Sequence, residues 1–289
     1  MKINIATSSQ SPQGTTEDKL LADALRALDY TVIISDWRSL SIQASKPKDA
    51  VIIRSTWDYH LKLKEFLDWA QATAENAILL NPLDCILWNS TKKYFLEDWC
   101  QSIPRVPTIL AETEPSTQAL IETFKFSGEA ILKPIVGASS FETHRVGSVA
   151  EALHAWKSVR KQSAVLIQPY ISSVEGQGET SVICSYSKNE GWKALHAICK
   201  VPKGGDFRVQ AEYGGSWRKI TLDEKLQTQV MQVLHSLPVK PIYARIDFIE
   251  TPSQRLLSEV ELIEPALFLE AGPSLDAFAG AIDSSLKLV

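Results

Sequence analysis

Cysteine is scarce and scattered: Cys85, Cys100, Cys184 and Cys199 are the four in 289 residues, with no CxxC pair and no Cys/His spacing of a metal site. That pattern excludes a zinc ribbon or a disulfide framework and leaves reduced, mostly buried thiols. Also missing is any apolar run near the roughly 20 residues that a membrane helix needs. The opening MKINIATSSQ reads as a first strand, not as a basic, apolar, cleavable leader, so a cytoplasmic location is expected. Neither sign of charge dominates: 30 Lys and Arg against 34 Asp and Glu give a net charge of −4, which offers nothing to nucleic acid or to an acidic membrane. Internal repeats, low-complexity tracts and the GxxxxGK[ST] phosphate loop are absent as well.

What is present is an ordinary globular composition, 45% hydrophobic with eight Trp, long enough for one large core or several smaller ones. The first third alternates short apolar runs (KINIAT, TVIISDW, DAVIIRSTWDY, AILLNP) with amphipathic segments, the pattern of a parallel sheet flanked by helices, which sets an α/β domain at 1–87. RSTWDYH falls at a strand's carboxyl end, where open parallel sheets place ligands. Arg54, Trp57 and Asp58 are therefore candidates to hold a polar substrate; the plainer reading is a strand-end ion pair.

A helix carrying NSTKKYFLEDWCQ is expected next, stopped before the prolines of IPRVPT. A second α/β unit, 88–167, contains a helix near 115–126, the strand GEAILKPIV, the small-residue loop GASSF, a helix over SVAEALHAWKSV and the strand AVLIQPYI. From 168 to 289 the pattern turns antiparallel and then helical, with Arg208 on a strand candidate between two glycine pairs. Three subdomains around one cleft, an α/β (α+β) chain, is the economical arrangement.

The stretch LLSEVELIEPALFLEAG sets Glu259, Glu261, Glu264 and Glu270 among residues that call for burial. An unpaired buried carboxylate protonates, pairs with a cation or binds a metal. Two strand patterns flank the turn signal TPSQ, so YARIDFIETPSQRLLSEVELIE reads as a hairpin. A turn centred on Ser253 pairs Asp247 with Glu259 and Arg245 with Glu261. Side chains two apart share a face, so these four line one side while Ala244, Ile246, Val260 and Leu262 line the other. Like charges across a strand pair repel, and an oxygen-only cluster suits Mg²⁺; the alternative is a solvated face with an Arg245–Glu261 ion pair.

Lys133 interrupts an apolar strand just before a loop whose Gly137, Ala138, Ser139 and Ser140 offer main-chain N–H groups, so it either meets phosphate oxygens or snorkels to solvent. Arg208 offers planar recognition of phosphate or carboxylate, or is a surface arginine. Glu179, after a glycine-rich turn, could accept ribose hydroxyls.

Taken in order, NSTKK, ILKPIVGASS, LIQPYI…GETSV, GGDFRVQAEYGG, ARIDF and LSEVELIEP resemble the ATP-grasp superfamily, in its branch near prokaryotic glutathione synthetase. The resemblance spans nearly the whole chain. It implies ATP held between the central and C-terminal subdomains, with Lys92 (or Lys93, one residue on) and Lys133 on its phosphates and the 137–140 loop closing over them. It further implies Gln168, Pro169, Tyr170 and Ile171 at adenine, Glu179 at ribose, and Asp247, Glu259 and Glu261 on Mg²⁺, with two ions and Mn²⁺ as a substitute. Glu261 stands where glutathione synthetases have Asn. Arg208 and Lys133 take the catalytic positions, Arg208 at the acyl phosphate.

RSTWDYH, QPYI, KGGDFRVQAEYGG and ELIEPALFL look like the subgroup that contains the O-ureido-serine cyclo-ligase of cycloserine biosynthesis. That narrower likeness implies an ATP- and Mg²⁺-dependent carboxylate–amine ligase, working through an acyl phosphate on a small amino acid or derivative, with ring closure as one outcome. Arg54, Trp57, Asp58, Arg208 and Arg245 are the substrate candidates. The expected partner is that small molecule, without nucleic acid or membrane, and a homodimer is allowed. A peptide- or protein-modifying ligase, a hydroxyl phosphotransferase and an inactive nucleotide-binding module are the competing readings.

Overall fold

The structure, a computed structural model, describes residues 1–40, 49–271 and 274–287. Its first unit runs β1 (Lys2–Thr7), α1 (Thr16–Arg26), β2 (Thr31–Asp36), β3 (Ala50–Ile53), α2 (Leu63–Asn76) and β4 (Ile78–Leu80), with the strands parallel in the order β2-β1-β3-β4. Strand side chains alternate between faces. Ile3, Ile5 and Ile52 pack under Leu21 and Leu25 of α1, while Val51 and Ile53 pack under Phe66 and Ala70 of α2. Thr15 and Asp18 cap α1 reciprocally, each side chain bonding the other's main-chain N–H.

The expected helix through 89–101 is not continuous. α3 (Leu83–Asn89) ends there, Thr91 and Glu97 are extended, and two short 3₁₀ turns replace the rest. Tertiary bonds divert the chain: the Asn89 amide donates to Val260 O and accepts from Leu262 N, and Lys92 N–H donates to Ile135 O.

Next come β5 (Ile109–Ala111), α4 (Thr117–Ser127), β6 (Ala130–Pro134), β7 (His144–Val146), α5 (Val149–Val159) and β8 (Val165–Pro169), forming an antiparallel sheet in the order β5-β8-β6-β7 under α4 and α5. β8 crosses the division expected at 167/168, and its hydrogen bonds keep it in this second sheet.

After the short α6 (Ser173–Gln177), β9 (Glu179–Ser187), β10 (Gly191–Val201), β11 (Ser216–Ile220), α7 (Glu224–Ser236), β12 (Tyr243–Glu250), β13 (Arg255–Glu261) and α8 (Ser274–Leu286) complete the described chain. The third sheet is antiparallel, β11-β10-β9-β12-β13. Ala244, Ile246, Phe248, Val260 and Leu262 join α7 in one core; on the other face, α8 packs over Ile183 and Tyr243 and reaches the first sheet. Past the cover of α8 that face opens, and its next side chains on β12 are Arg245 and Asp247.

Arg208 is not on a strand. Asp206 Oδ1 accepts from the N–H groups of both Phe207 and Arg208, so 203–215 folds as a loop. Gly215 closes it against Val209, where an added Cβ would stand 2.2 Å from Val209 O. All four cysteines are buried and unpaired. Among the described residues no helix is long and apolar enough to cross a membrane.

Candidate functional site

A cavity of about 390 Å³ lies between the second and third sheets, and the hairpin β12–β13 forms its floor. Arg245 pairs with Glu261 and Asp247 with Glu259, as the sequence pattern requires. The route differs slightly: Glu250 pairs with Arg255, which centres the turn between Pro252 and Ser253, and a bulge at Ser258 restores the register. Asp247, Glu259 and Glu261 each present an oxygen within 4.8 Å of the others, a donor set that fits a hard divalent cation.

Cations from three directions meet these carboxylates. Lys92 Nζ lies 2.6 Å from Glu259 and donates to Gly137 O at 3.1 Å. Lys200 of β10 sits 3.1 Å from both Glu179 and Asp247, and Arg245 reaches Asp247 at 2.9 Å and Glu261 at 2.5 Å. Burial disfavours charge on Asp247 and on Glu259, but Arg245 and Lys200 hold the first below its usual value, and Lys92 and Lys133 do the same for the second. Glu261 moves the other way: burial raises it, against Arg245, and its acidic neighbours add to the rise.

Lys133 stands over the floor from β6 with no hydrogen bond or ion pair among the described residues. Burial, helped by Lys92, lowers its pKa against the pull of Glu259. Gly137, Ala138, Ser139 and Ser140 form one rim; Ser139 and Ser140 hold φ of 50° and 55°, and Tyr213 Oη donates to Ser139 O at 3.4 Å across the opening. Gln168, Pro169, Tyr170 and Ile171 line the far wall. The Gln168 amide donates to Thr108 Oγ1, and the Arg145 guanidinium stacks 3.9 Å over the Tyr170 ring. Arg208 lines the mouth, bonded through Nε and Nη2 to Asp206 and stacked 3.6 Å over Tyr213.

Several expected site residues sit elsewhere. Lys93 faces away, 3.0 Å from Glu112 on the surface, so Lys92 is the lysine of the cleft. Asp58 turns back into the first domain to accept from Trp37 and pair with Arg38. Arg54 is buried beneath the cleft, ion-paired with Glu17 and, through Nε at 3.9 Å, with Asp18, and donating to Pro265 O, while Nε and Nη1 make no hydrogen bond among the described residues. Of that trio only Trp57 lines the cavity. Glu179 lines it too, but joins the acidic cluster beside Lys200 and Asp247, its carboxyl pushed up to about 7 chiefly by burial.

Two residues escaped the sequence reading. Lys200 carried the signal that picked out Lys133, a lysine ending an apolar strand. Glu264 was visible as an acid in an apolar run but received no role; it lines the cavity, and burial and then Glu261 raise it to about 8.

Residues 93–265, well over half the chain, match the RimK-like ATP-grasp domain. The chain belongs to the RimK-like ATP-grasp family. Residues 3–81 of this ATP-grasp chain match the N-terminal domain of the D-cycloserine synthetase DcsG. It is 26% identical over 284 residues to the cycloserine biosynthesis protein DcsG of Streptomyces lavendulae, spanning 92% of this chain and 93% of that one. Its fold superimposes on the crystal structure of D-cycloserine synthetase DcsG with a TM-score of 0.82 at 23% identity, covering 99% and 100% of the two chains. D-alanyl-alanine synthetase A from Vibrio cholerae follows at a TM-score of 0.67 and 15% identity, covering 100% of this chain and 98% of that one. The macrocyclase MdnC of Microcystis aeruginosa, solved with its precursor peptide MdnA, gives 0.66 at 16%, with both chains wholly covered. The three sheets are thus those of an ATP-grasp fold, and the chain is an ATP-grasp ligase that joins a carboxylate to an amine.

Proposed function

We propose that this ligase activates the carboxylate of a small amino acid or amino-acid derivative as an acyl phosphate, and that an amine of the same or a second molecule captures it. The observation that carries the reading is the floor: three carboxylates on one hairpin face, with Lys92 and Lys133 converging on them. Asp247, Glu259 and Glu261 would hold Mg²⁺, which supplies neutralisation of phosphate charge. Lys92 and Lys133 would contact the phosphates of ATP under the 137–140 loop, with adenine along 168–171.

A substrate carboxylate oxygen attacks the γ-phosphorus, the bond to the β–γ bridging oxygen breaks, and ADP leaves. The amine then attacks the acyl carbon, phosphate departs, and the amine proton is lost. Arg208, at the mouth, is suited to charge on the acyl phosphate once its hold on Asp206 is shared. The mixed anhydride must be kept from water, a task for the second sheet and its loop. Ring closure within one substrate is favoured over peptide modification by the likeness to DcsG across both halves of the chain and by a cavity of about 390 Å³.

The test is ADP and phosphate release with MgATP against amino acids and derivatives, O-ureido-serine included, singly and in pairs, with product mass. A product with the mass of one substrate less water means ring closure, a product that joins two molecules, alike or different, means intermolecular ligation, and unchanged substrate mass with ADP release means an acyl phosphate intercepted by water. Lys133→Ala and Glu259→Gln should each lower turnover by about 10²–10³-fold with unchanged far-UV spectra, and full turnover in both would refute the assigned site. Arg208→Ala should keep nucleotide affinity while losing product.

A further inference from the structure

The segment after β13 is irregular, yet its main chain is held at nearly every residue by a side chain from elsewhere. Tyr243 Oη, which shares its one proton between Ile53 O at 2.8 Å and Ile263 O at 3.0 Å, reaches the first carbonyl, while Trp57 Nε1 donates to Glu264 O at 3.1 Å, Arg54 Nη2 to Pro265 O at 2.8 Å and Arg245 Nη1 to Ala266 O at 3.3 Å. The Glu17 carboxylate accepts from Leu267 N at 2.9 Å and Leu269 N at 3.3 Å. Buried main-chain polar groups need partners, and here polar side chains of the first domain and of β12 supply them. Between these anchors Phe268 takes φ of 51° and meets Trp217 edge to face at 5.3 Å, closing one side of the cavity.

A backbone fixed this firmly presents the Glu264 side chain to the cleft in one place. The other acids there already have cations: Lys92 for Glu259, Lys200 for Glu179 and Asp247, Arg245 for Asp247 and Glu261. Glu264 has no ion pair among the described residues, and no side-chain donor bonds its carboxylate. Its own main-chain N–H and the charge of Lys92 are what favour its ionised form, so a ligand cation would be its first ion-pair partner among the described residues.

We propose that Glu264 binds the ammonium group of the substrate, so that this enzyme selects molecules carrying a free amine beside the carboxylate it activates. The inference rests on the ligase reading above. Trp57, Arg54 and Glu17 then act as positioning residues, holding the 263–269 segment without touching the substrate through their anchoring groups, and Phe268 with Trp217 walls the site on its apolar side.

The experiment compares ADP release by the full chain with MgATP and three matched sets: O-ureido-serine and the common amino acids in both hands, their N-acetyl derivatives, and their α-hydroxy counterparts. The result expected is that every active compound has a free amine and that its N-acetyl and hydroxy forms are at least tenfold poorer. Glu264→Gln should raise KM for the active amine at least tenfold with a much smaller change in kcat, and Glu264→Asp should recover part of the loss. Turnover of N-acetyl or hydroxy forms within threefold of the amine overturns the proposal while leaving the ligase reading intact, as does a Glu264→Gln enzyme with unchanged KM or one that loses kcat alone. If no compound in any set stimulates ADP release while nucleotide still binds, the small-amino-acid reading fails and this inference with it. The comparison of analogues needs only the wild-type chain and decides whether a free amine is required, while the KM of Glu264→Gln and its partial recovery in Glu264→Asp decide whether Glu264 is the group that binds it.

Discussion

His196 lies in β10, 3% exposed, with Nδ1 2.7 Å from Ser274 Oγ and Nε2 without a hydrogen bond among the described residues. Burial, with Lys219 adding to it and the Leu267 and Phe268 main chain opposing, lowers its pKa to about 4. An unfolded histidine titrates near 6.5. Above that pH both states are neutral and nothing changes; as pH falls from about 6.5 toward 4 the unfolded chain takes the proton first, so stability is lost, by about 2–3 kcal/mol in all. Urea midpoints measured across that window should fall for the wild type and fall less for His196→Asn, and parallel slopes would contradict the assignment. At this scale the sequence was legible where a charge broke an apolar pattern: Lys133 and the paired acids of the hairpin stood out. Lys200 gave the same signal and was passed over. Arg54 and Asp58 were misplaced because a strand's carboxyl end marks a region, whereas the direction of each side chain was settled by Glu17 and Pro265 in one case and Trp37 and Arg38 in the other.

Among the elements, the start of β9 depends on Gly178, whose φ is 79° and where an added Cβ would stand 2.4 Å from Lys200 O and 2.6 Å from Cys199 Sγ. Gly178→Ala should therefore destabilise by about 1–3 kcal/mol from backbone strain, with the steric clash adding to it and the Glu179–Lys200 pairing disturbed. A denaturation midpoint equal to wild type would count against this. Strand periodicity was readable because apolar and charged residues alternate along 244–247 and 259–262, which fixes register to the residue. The bulge at Ser258 was not readable, since it is set by the turn and the register together. The break in the helix after Asn89 was hidden for a related reason: bonds from Asn89 to β13, far along the chain, outweigh a helical local pattern. The loop around Arg208 could have been foreseen from Asp206 and its flanking glycines.

For the whole molecule, the order of the three sheets followed from alternating patterns in the chain, while the way α8 returns to seal the first sheet against the third did not, because no local pattern encodes which distant face an apolar helix will cover. Lys92 ties the assembly together at one point, touching Glu259 of the floor and Gly137 O of the loop above it. If Asp247, Glu259 and Glu261 hold the metal, as proposed, a divalent ion arriving alone evicts that ammonium from Glu259 and leaves it stranded in a poorly solvated cleft. Nucleotide phosphate gives it somewhere to go. Calorimetric titration with Mg²⁺ alone should accordingly give no saturable heat over a range in which MgATP saturates, and tight binding of the bare ion would contradict it. On the proposed reading the cleft is an ion exchanger loaded with lysine, in which metal and nucleotide enter as one neutralising cargo and the Lys92 ammonium passes from carboxylate to phosphate beneath the same loop.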